Sequence, residues 1–288
     1  MNNVYLINKP EGLTSFDVVR KVKGVLKEKR IGHTGTLDPF ATGLLIICTG
    51  RFTRLADYFH RYLKTYRAIF VLGAFTDTDD VTGRVLKKFD IPLLTSESLI
   101  SVLNGFKGEI EQIPPLISAK KINGNRLYKL NRNGVQVKAK STKVLVQDIN
   151  LLAFNPPEFE VEITCGTGTY IRSIARDTGE KLGCGCYVKG LKRLSIGPYS
   201  VENAFLPESA KPISHLDILP DLEAFVLQER DLKRIMMGNE VLIKGIECTG
   251  GVVRVFTPYF KELVSICRCV NNKDGVKLKP LKVFKGEL

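Results

Sequence analysis

His33 and Asp38 lie five residues apart in the stretch Gly32-His-Thr-Gly-Thr-Leu-Asp-Pro-Phe-Ala-Thr-Gly43, which is rich in glycine and threonine. A carboxylate displayed on such a loop can attack carbon as a nucleophile or remove a proton, and loops on rigid scaffolds are where functional groups concentrate. It is not a phosphate-cradling P-loop: the G-x-x-x-x-G-K-[ST] spacing fails, and Asp38 would repel a phosphate. On spacing alone, Asp38-Pro39 reads equally as a turn initiator and His33 as a loop side chain with a hydrogen bond.

Two other constellations invite a metal. Asp77-x-Asp79-Asp80 gathers carboxylates, which would suit a metal-dependent nuclease, but Val81 and Thr82 fill the fifth and sixth places of a calcium loop and no Glu follows at the twelfth. The cysteines, at positions 48, 165, 184, 186, 248, 267 and 269, are odd in number and contain no C-x-x-C pair. Cys184-x-Cys186 is far in sequence from His33, His60 and His215. The reading is therefore no metal site, with all seven cysteines as reduced packing residues.

The elements that must position these groups follow from periodicity. Val4–Ile7 is an apolar strand running into the turn Lys9-Pro-Glu-Gly12. Thr14-Ser-Phe-Asp17 has the spacing of a capping box, and Phe16, Val19, Val22 and Leu26 recur at helical intervals behind it. Between them fall Arg20, Lys21, Lys23, Lys27, Lys29 and Arg30, a solvated or phosphate-facing surface. The unbroken apolar run Leu44–Cys48 reads as a central strand that backs the loop. Thr65–Gly73 alternates, with Tyr66, Ala68, Phe70 and Leu72 on one side, and Glu158–Thr164 alternates likewise. Helices are expected at Ser96–Leu103 and Ile171–Leu182. Strands and helices interleave without a strict βαβ rhythm, so the fold class is mixed α+β.

Residues 112–149 read as an inserted basic arm carrying Lys120, Lys121, Arg126, Lys129, Arg132, Lys138, Lys140 and Lys143. Ile218-Leu-Pro-Asp-Leu222 reads as a linker, after which Leu232–Gly238 opens a run of short strands with a basic tail from Lys273 to Lys285. The expected division is a larger domain over 1–222 and a small β-rich domain over 223–288.

The chain has 288 residues, and 43 Lys and Arg against 30 Asp and Glu leave a net charge of +13. Such an excess favours a polyanionic partner, nucleic acid first. With 44% hydrophobic residues the chain can bury sizeable cores. No apolar run approaches the roughly 18 residues of a membrane span, and the N-terminus lacks a signal-peptide pattern. The expected address is the cytoplasm, with no membrane partner.

Asn8-Lys-Pro-Glu-Gly12 with Thr14-Ser15, then the Gly32–Gly43 loop, resembles the TruB family of tRNA pseudouridine-55 synthases. Further matches come in the family's order: Lys64-x-Tyr66, Gly73-x-x-Thr-Asp-Thr-x-Asp-x-x-Gly83, Gln112-x-Pro-Pro-x-x-Ser-Ala119, Gly168-Thr-Tyr-Ile-Arg172 and Leu191-Lys-Arg-Leu194. The resemblance covers roughly residues 3–200; the last 60 or so resemble a PUA RNA-binding domain more weakly. It implies a mixed central sheet crossed by a catalytic cleft, and a cofactor-free isomerisation of uridine 55 in the T arm of tRNA by a monomer. It further implies Asp38 as the catalytic carboxylate, Arg172 as its partner, and Tyr66 as the aromatic stacked on the flipped base. His33 would brace the gap, Tyr170 and Leu191 would line the uracil pocket, and Lys9 and Lys64 would flank the site. A non-catalytic RNA-binding or RNA-folding protein is the alternative.

Overall fold

The computed structural model describes residues 1–115, 121–122, 125–126 and 140–284. In chain order the first elements are β1 (Val4–Lys9), α1 (Ser15–Leu26), β2 (Ile31–His33), β3 (Thr42–Thr49), α2 (Ala56–His60), β4 (Lys64–Leu72), β5 (Ala74–Thr76), β6 (Val85–Lys88) and α3 (Ser96–Asn104). There follow β7 (Gly108–Gln112), β8 (Lys121–Ile122), β9 (Asn125–Arg126), β10 (Thr142–Asn155), β11 (Glu158–Cys165), α4 (Ile171–Leu182), β12 (Cys186–Ile196) and β13 (Tyr199–Ser200). The C-terminal part holds β14 (Ala224–Val226), α5 (Glu229–Met236), β15 (Val241–Lys244), β16 (Gly251–Phe256), β17 (Leu263–Asn272) and β18 (Gly275–Val283).

An apolar strand without alternation needs cover on both faces, and β3 has it, being buried from Gly43 onward. Antiparallel β1 sends Val4 and Leu6 to one side and Tyr5 and Ile7 to the other, and each pair enters a separate apolar cluster. α1 covers the second of these with Val18, Val19 and Val22, each buried valine contributing roughly 1.5–3 kcal/mol. Its start is fixed by the expected capping box: Thr14 Oγ1 accepts from the Asp17 amide at 3.0 Å, and the Thr14 amide donates to Asp17 Oδ2 at 3.1 Å. Phe16 departs from expectation. It is 65% exposed, because the inward face begins one residue earlier, at buried Ser15, and continues through Val18, Val19 and Val22.

The main sheet has nine strands in the order β1-β3-β12-β4-β11-β10-β7, with β2 added to β3 and β13 to β12. Pairing is antiparallel except where β12 meets β3, a short parallel contact of Lys192 with Thr42 and Arg193 with Gly43. The backbones approach closely at this junction: Gly43 has φ 101°, and a Cβ on it would lie 2.3 Å from the Arg193 carbonyl oxygen. Glycine is required there by both conformation and space. β4 and β11 alternate as expected, and Phe70, Phe159, Val161 and Ile163 pack with Leu99 and Leu103 of α3 and Ile171, Ile174 and Ala175 of α4. The loop residues Leu37, Phe40 and Ala41 join the same cluster, so the loop carrying Asp38 is tied to the core beneath it.

The expected basic arm narrows. Gln112 ends β7 and Thr142 begins β10, which pair with each other in the main sheet; Lys143 is therefore a sheet residue. Lys120, Lys129, Arg132 and Lys138 lie outside the described residues, as does Lys285. The run Leu232–Met236, read as the opening of a strand series, is helical within α5. Its Leu232 and Ile235 face the core one turn apart, a helical spacing that the following Gly238 masked.

The second sheet, β14-β16-β17-β18-β15, is not hung on a loose linker. Ile218 and Leu219 are buried. Arg254 of β16 donates to the carbonyls of Leu216 at 2.6 Å, Ile218 at 3.0 Å and Leu222 at 2.9 Å. Tyr199 of the first sheet accepts from the Leu219 amide at 2.8 Å and donates to the Asp217 carbonyl at 3.0 Å. Phe256, Leu263, Ile266 and Phe284 share one apolar cluster with Leu44, Ile46, Phe52 and Phe59. Local composition read Ile218–Leu222 as a linker, whereas contacts distant in sequence make it a joint. The expectation of seven reduced cysteines also fails: Cys248 and Cys269, 21 residues apart, form a disulfide, because the loop before β16 folds back on β17, a proximity no spacing rule shows. The other five are free and buried.

Since Arg254 serves three carbonyls at the joint, Arg254→Ala should lower stability by about 3 kcal/mol, as hydrogen bonds to charged groups are worth ~1.5–3 kcal/mol each. Urea unfolding followed by circular dichroism measures it, and a midpoint equal to that of the unmodified protein would dismiss the clamp.

Candidate active site

Asp38 sits on the connection from β2 to β3, and neighbouring elements fix that loop by its backbone. Ser15 Oγ accepts from the Leu37 amide at 2.8 Å and donates to the Leu37 carbonyl at 3.1 Å. The Ala41 amide donates to the Asp38 carbonyl at 3.1 Å, closing a turn with Pro39 at its second position. Asp38 is thus both a turn initiator through its backbone and a functional candidate through its side chain. Lys9 supports the loop from beneath. Its side chain is fully buried, and its ammonium donates to the carbonyls of Leu13 at 2.7 Å, Pro10 at 3.0 Å and Pro39 at 3.1 Å.

Arg172 approaches Asp38 from the first turn of α4. It is 3% exposed, and its Nε and Nη2 face Asp38 Oδ2 at 2.9 Å and Oδ1 at 3.1 Å, a two-pronged contact. Nη1 turns the other way, to the Thr78 carbonyl at 2.8 Å and to Asp80 Oδ2 at 3.3 Å. The turn Asp77–Gly83, rejected above as a metal loop, is therefore the mount for this guanidinium. Asp80 is itself held by Thr78 Oγ1 at 2.7 Å and by the amide and hydroxyl of Thr82 at 2.9 and 2.5 Å. Asp79, with φ 59°, faces Arg176 at 3.2 Å. The start of α4 lacks a side-chain cap of its own. Buried Gln112 replaces it, accepting from the Tyr170 amide at 2.8 Å and donating to the Tyr170 carbonyl at 3.1 Å.

These groups surround a cavity of about 510 Å³, lined by Asp38, Tyr66, Arg172, Tyr170, Leu191, Lys64 and Arg193 among others, a size that admits a nucleotide. Lys64 lies in the wall, but its ammonium donates to the His60 carbonyl at 2.9 Å, the Tyr62 carbonyl at 2.5 Å and Thr167 Oγ1 at 2.5 Å, pinning the rim at Gly166–Gly168. His33 and Lys9 do not line the cavity. His33 stands at the end of β2, half-buried, and its Nδ1 accepts from the Gly35 amide at 3.2 Å. Sequence reasoning missed Asp80 as the second partner of Arg172, and it missed Arg193. Arg193 is buried and donates to the carbonyls of Leu44 at 2.7 Å, Gly35 at 3.2 Å and Thr36 at 3.5 Å. It also stands opposite Tyr66, its register partner across the sheet, and its charge acts on the Tyr66 hydroxyl. The available signal was its place two residues after Leu191, on the same face of β12.

Burial raises the Asp38 carboxyl above its ordinary range; Arg172 opposes this, and the nearby charge of Asp80 adds to it. Burial likewise raises the Tyr66 hydroxyl against the pull of Arg193. It lowers Lys9 and Lys64 to about 8 each, with Asp38 countering it at Lys9 and Arg193 adding to it at Lys64. Burial also lowers His33. The site is a carboxylate held ready beside a permanent cation, in a cavity with an aromatic wall. It can attack or deprotonate carbon on a flat heterocycle.

A carboxyl whose folded pKa lies above its unfolded value lets the folded state bind more protons between the two values, so stability falls as pH rises through that window. At neutral pH, Asp38→Asn is therefore expected to be at least as stable as the unmodified protein, with the gap closing as pH falls toward 4. Thermal melting across that range measures this, and a variant less stable at pH 7 would refute it.

The family model for TruB family pseudouridylate synthase (N terminal domain) matches residues 23–171. The tRNA pseudouridine synthase B of Clostridium tetani is 46% identical over 204 residues, 71% of each chain. That of Aquifex aeolicus is 42% identical over 269 residues, 89% of this chain and 92% of that one. The solved structure of an H/ACA RNP bound to a substrate RNA containing 2'-deoxyuridine aligns with 99% of this chain and 85% of that one, at a TM-score of 0.72 and 20% identity; it shares the fold.

Proposed function

Because the chain belongs to the TruB family of pseudouridylate synthases, we propose that it isomerises uridine 55 in the T arm of tRNA to pseudouridine, with Asp38 as the catalytic carboxylate. The bond from C1' to N1 breaks, the base turns, and C1' joins C5. The proton leaves C5 and N1 gains one, so no electrons or groups are exchanged with a third party. The observation that carries this reading is the two-pronged contact of Arg172 with Asp38 inside a cavity sized for a nucleotide. Desolvation pushes the carboxyl toward its protonated form, and the guanidinium opposes it.

Reaching a uridine stacked in a folded arm requires flipping it out, at a cost of a few kcal/mol. Tyr66 then stacks on the base and, in its ionised form, which the charge of Arg193 favours against burial, takes the proton from C5. Tyr170 and Leu191 flank the uracil. His33, at the loop's edge, braces the vacated stack, and its lowered pKa keeps the ring neutral for that contact. Lys9 and Lys64 act by shaping the site, as their ammoniums already serve backbone and hydroxyl oxygens.

The catalytic unit extends over 1–222 and the RNA-binding, PUA-like unit over 223–288. The enzyme works in the cytoplasm as a monomer. Among the described residues no helix is long and apolar enough to cross a membrane. RNA binding that remodels the T arm without chemistry is a second activity the +13 charge supports; it coexists with catalysis.

The test is conversion of an unmodified tRNA transcript, mapped by chemical detection of pseudouridine. One product at position 55 is expected, with Asp38→Asn slower by at least about 10³-fold while still binding. An Asp38→Asn enzyme near the normal rate, or no product at 55 with RNA bound, would refute the assignment.

A further inference from the structure

Two positions of α1 run against what a helix prefers. Gly24 lies exposed in its last turn, at a helical position where glycine is less favourable than alanine, and a Cβ there would meet nothing within 4 Å. No internal packing asks for glycine. Lys27, in contrast, closes the helix in the left-handed conformation, φ 54° and ψ 30°, the place where glycine is favoured. Local rules broken without a structural gain point to a functional surface.

The two residues share a face. By helical period, Phe16, Arg20, Lys23, Gly24 and Lys27 fall within about 100° of arc and run for about 16 Å, opposite the buried Val18 and Val22. All five are exposed. The Arg20 guanidinium lies 5.2 Å over the Phe16 ring and 3.4 Å from Asp17. Lys21 and Arg30, off this face, engage Glu208 and Thr53, whereas Lys23 and Lys27 have no partner among the described residues. The helix start bonds directly to the catalytic loop through Ser15 and Leu37, so the face begins beside the cleft.

We propose that this face of α1 docks the RNA substrate. Arg20, Lys23 and Lys27 contact successive phosphates, Gly24 lets the sugar-phosphate backbone come close to the helix, and Phe16 packs against a nucleotide at the end nearer the cleft. Three cations against the single carboxylate of Asp17 make the face complementary to a polyanion rather than to a protein of mixed charge. The inference rests on the reading that this chain acts on RNA.

The full chain is tested against an unmodified tRNA transcript, with Kd measured over a range of KCl concentrations. Arg20→Gln/Lys23→Gln/Lys27→Gln should raise Kd about tenfold or more at moderate salt and reduce the slope of log Kd against log salt by about 2 to 3. Phe16→Ala should weaken binding about fivefold or more with the slope kept. Gly24→Glu, which suits the helix better and should melt no lower than the unmodified protein, should still bind RNA more weakly. Lys21→Gln/Arg30→Gln, the control, should bind as the unmodified protein does. If that protein binds with a salt-dependent Kd and the triple variant and Gly24→Glu match it, the inference is overturned while the proposed function stands. If the unmodified protein binds no RNA and converts no uridine, the functional reading has failed and the inference falls with it.

Discussion

A guanidinium buried to 3% exposure is the constraint around which this molecule is arranged. An unpaired charge there would be prohibitive, since a buried charge left with no partner at all typically costs about 3–5 kcal/mol. Arg172 is matched on both sides, by Asp38 toward the cavity and by Asp80 with the Thr78 carbonyl behind. The second set lets the first be used. Because Asp80 and Thr78 help hold the guanidinium, the Asp38 carboxylate need not be closed off by it, and about a third of that side chain stays open to the cavity. The α4 start capped by Gln112 and the β5–β6 turn both serve to bring these partners together.

The excess of positive charge divides into two populations with different physics. Lys9, Lys64, Arg193 and Arg254 are turned inward, each serving carbonyl oxygens that the irregular backbone around the cleft and the joint leaves without partners in the sheet. A long side chain with a charged tip suits that work, as one ammonium or guanidinium can serve three acceptors at once. These cations hold the cleft rather than the substrate. Among the exposed ones, Arg20, Lys23 and Lys27 form the face of α1 proposed to meet phosphate, where each would contribute through counterion release.

Much of the fold was legible because it rests on local periodicity. The alternation of β4 and β11, the unbroken apolar run of β3 and the spacing of α4 all name their own elements. Asp38, Tyr66 and Arg172 were legible by resemblance rather than by pattern, since an aspartate before proline and an arginine in a first helical turn have ordinary explanations. What escaped depends on contacts distant in sequence. Asp80 meets Arg172 only after the hairpin turn packs on α4, and Arg193 reaches Gly35 and Leu44 only where β12 runs parallel to β3. The rigid joint at Ile218–Leu222 and the Cys248–Cys269 disulfide belong to the same class. Phe16 was misread for a smaller reason: the inward face of α1 starts with Ser15, a polar residue used to hold the catalytic loop.

The charge of Arg172 opposes the effect of burial at Asp38. The direct measurement is NMR titration of the Asp38 carboxyl carbon in the unmodified protein and in Arg172→Gln. The midpoint is expected above the ordinary carboxylate value in the first and higher still in the second, because desolvation then acts unopposed. A midpoint in Arg172→Gln equal to or below that of the unmodified protein would contradict it.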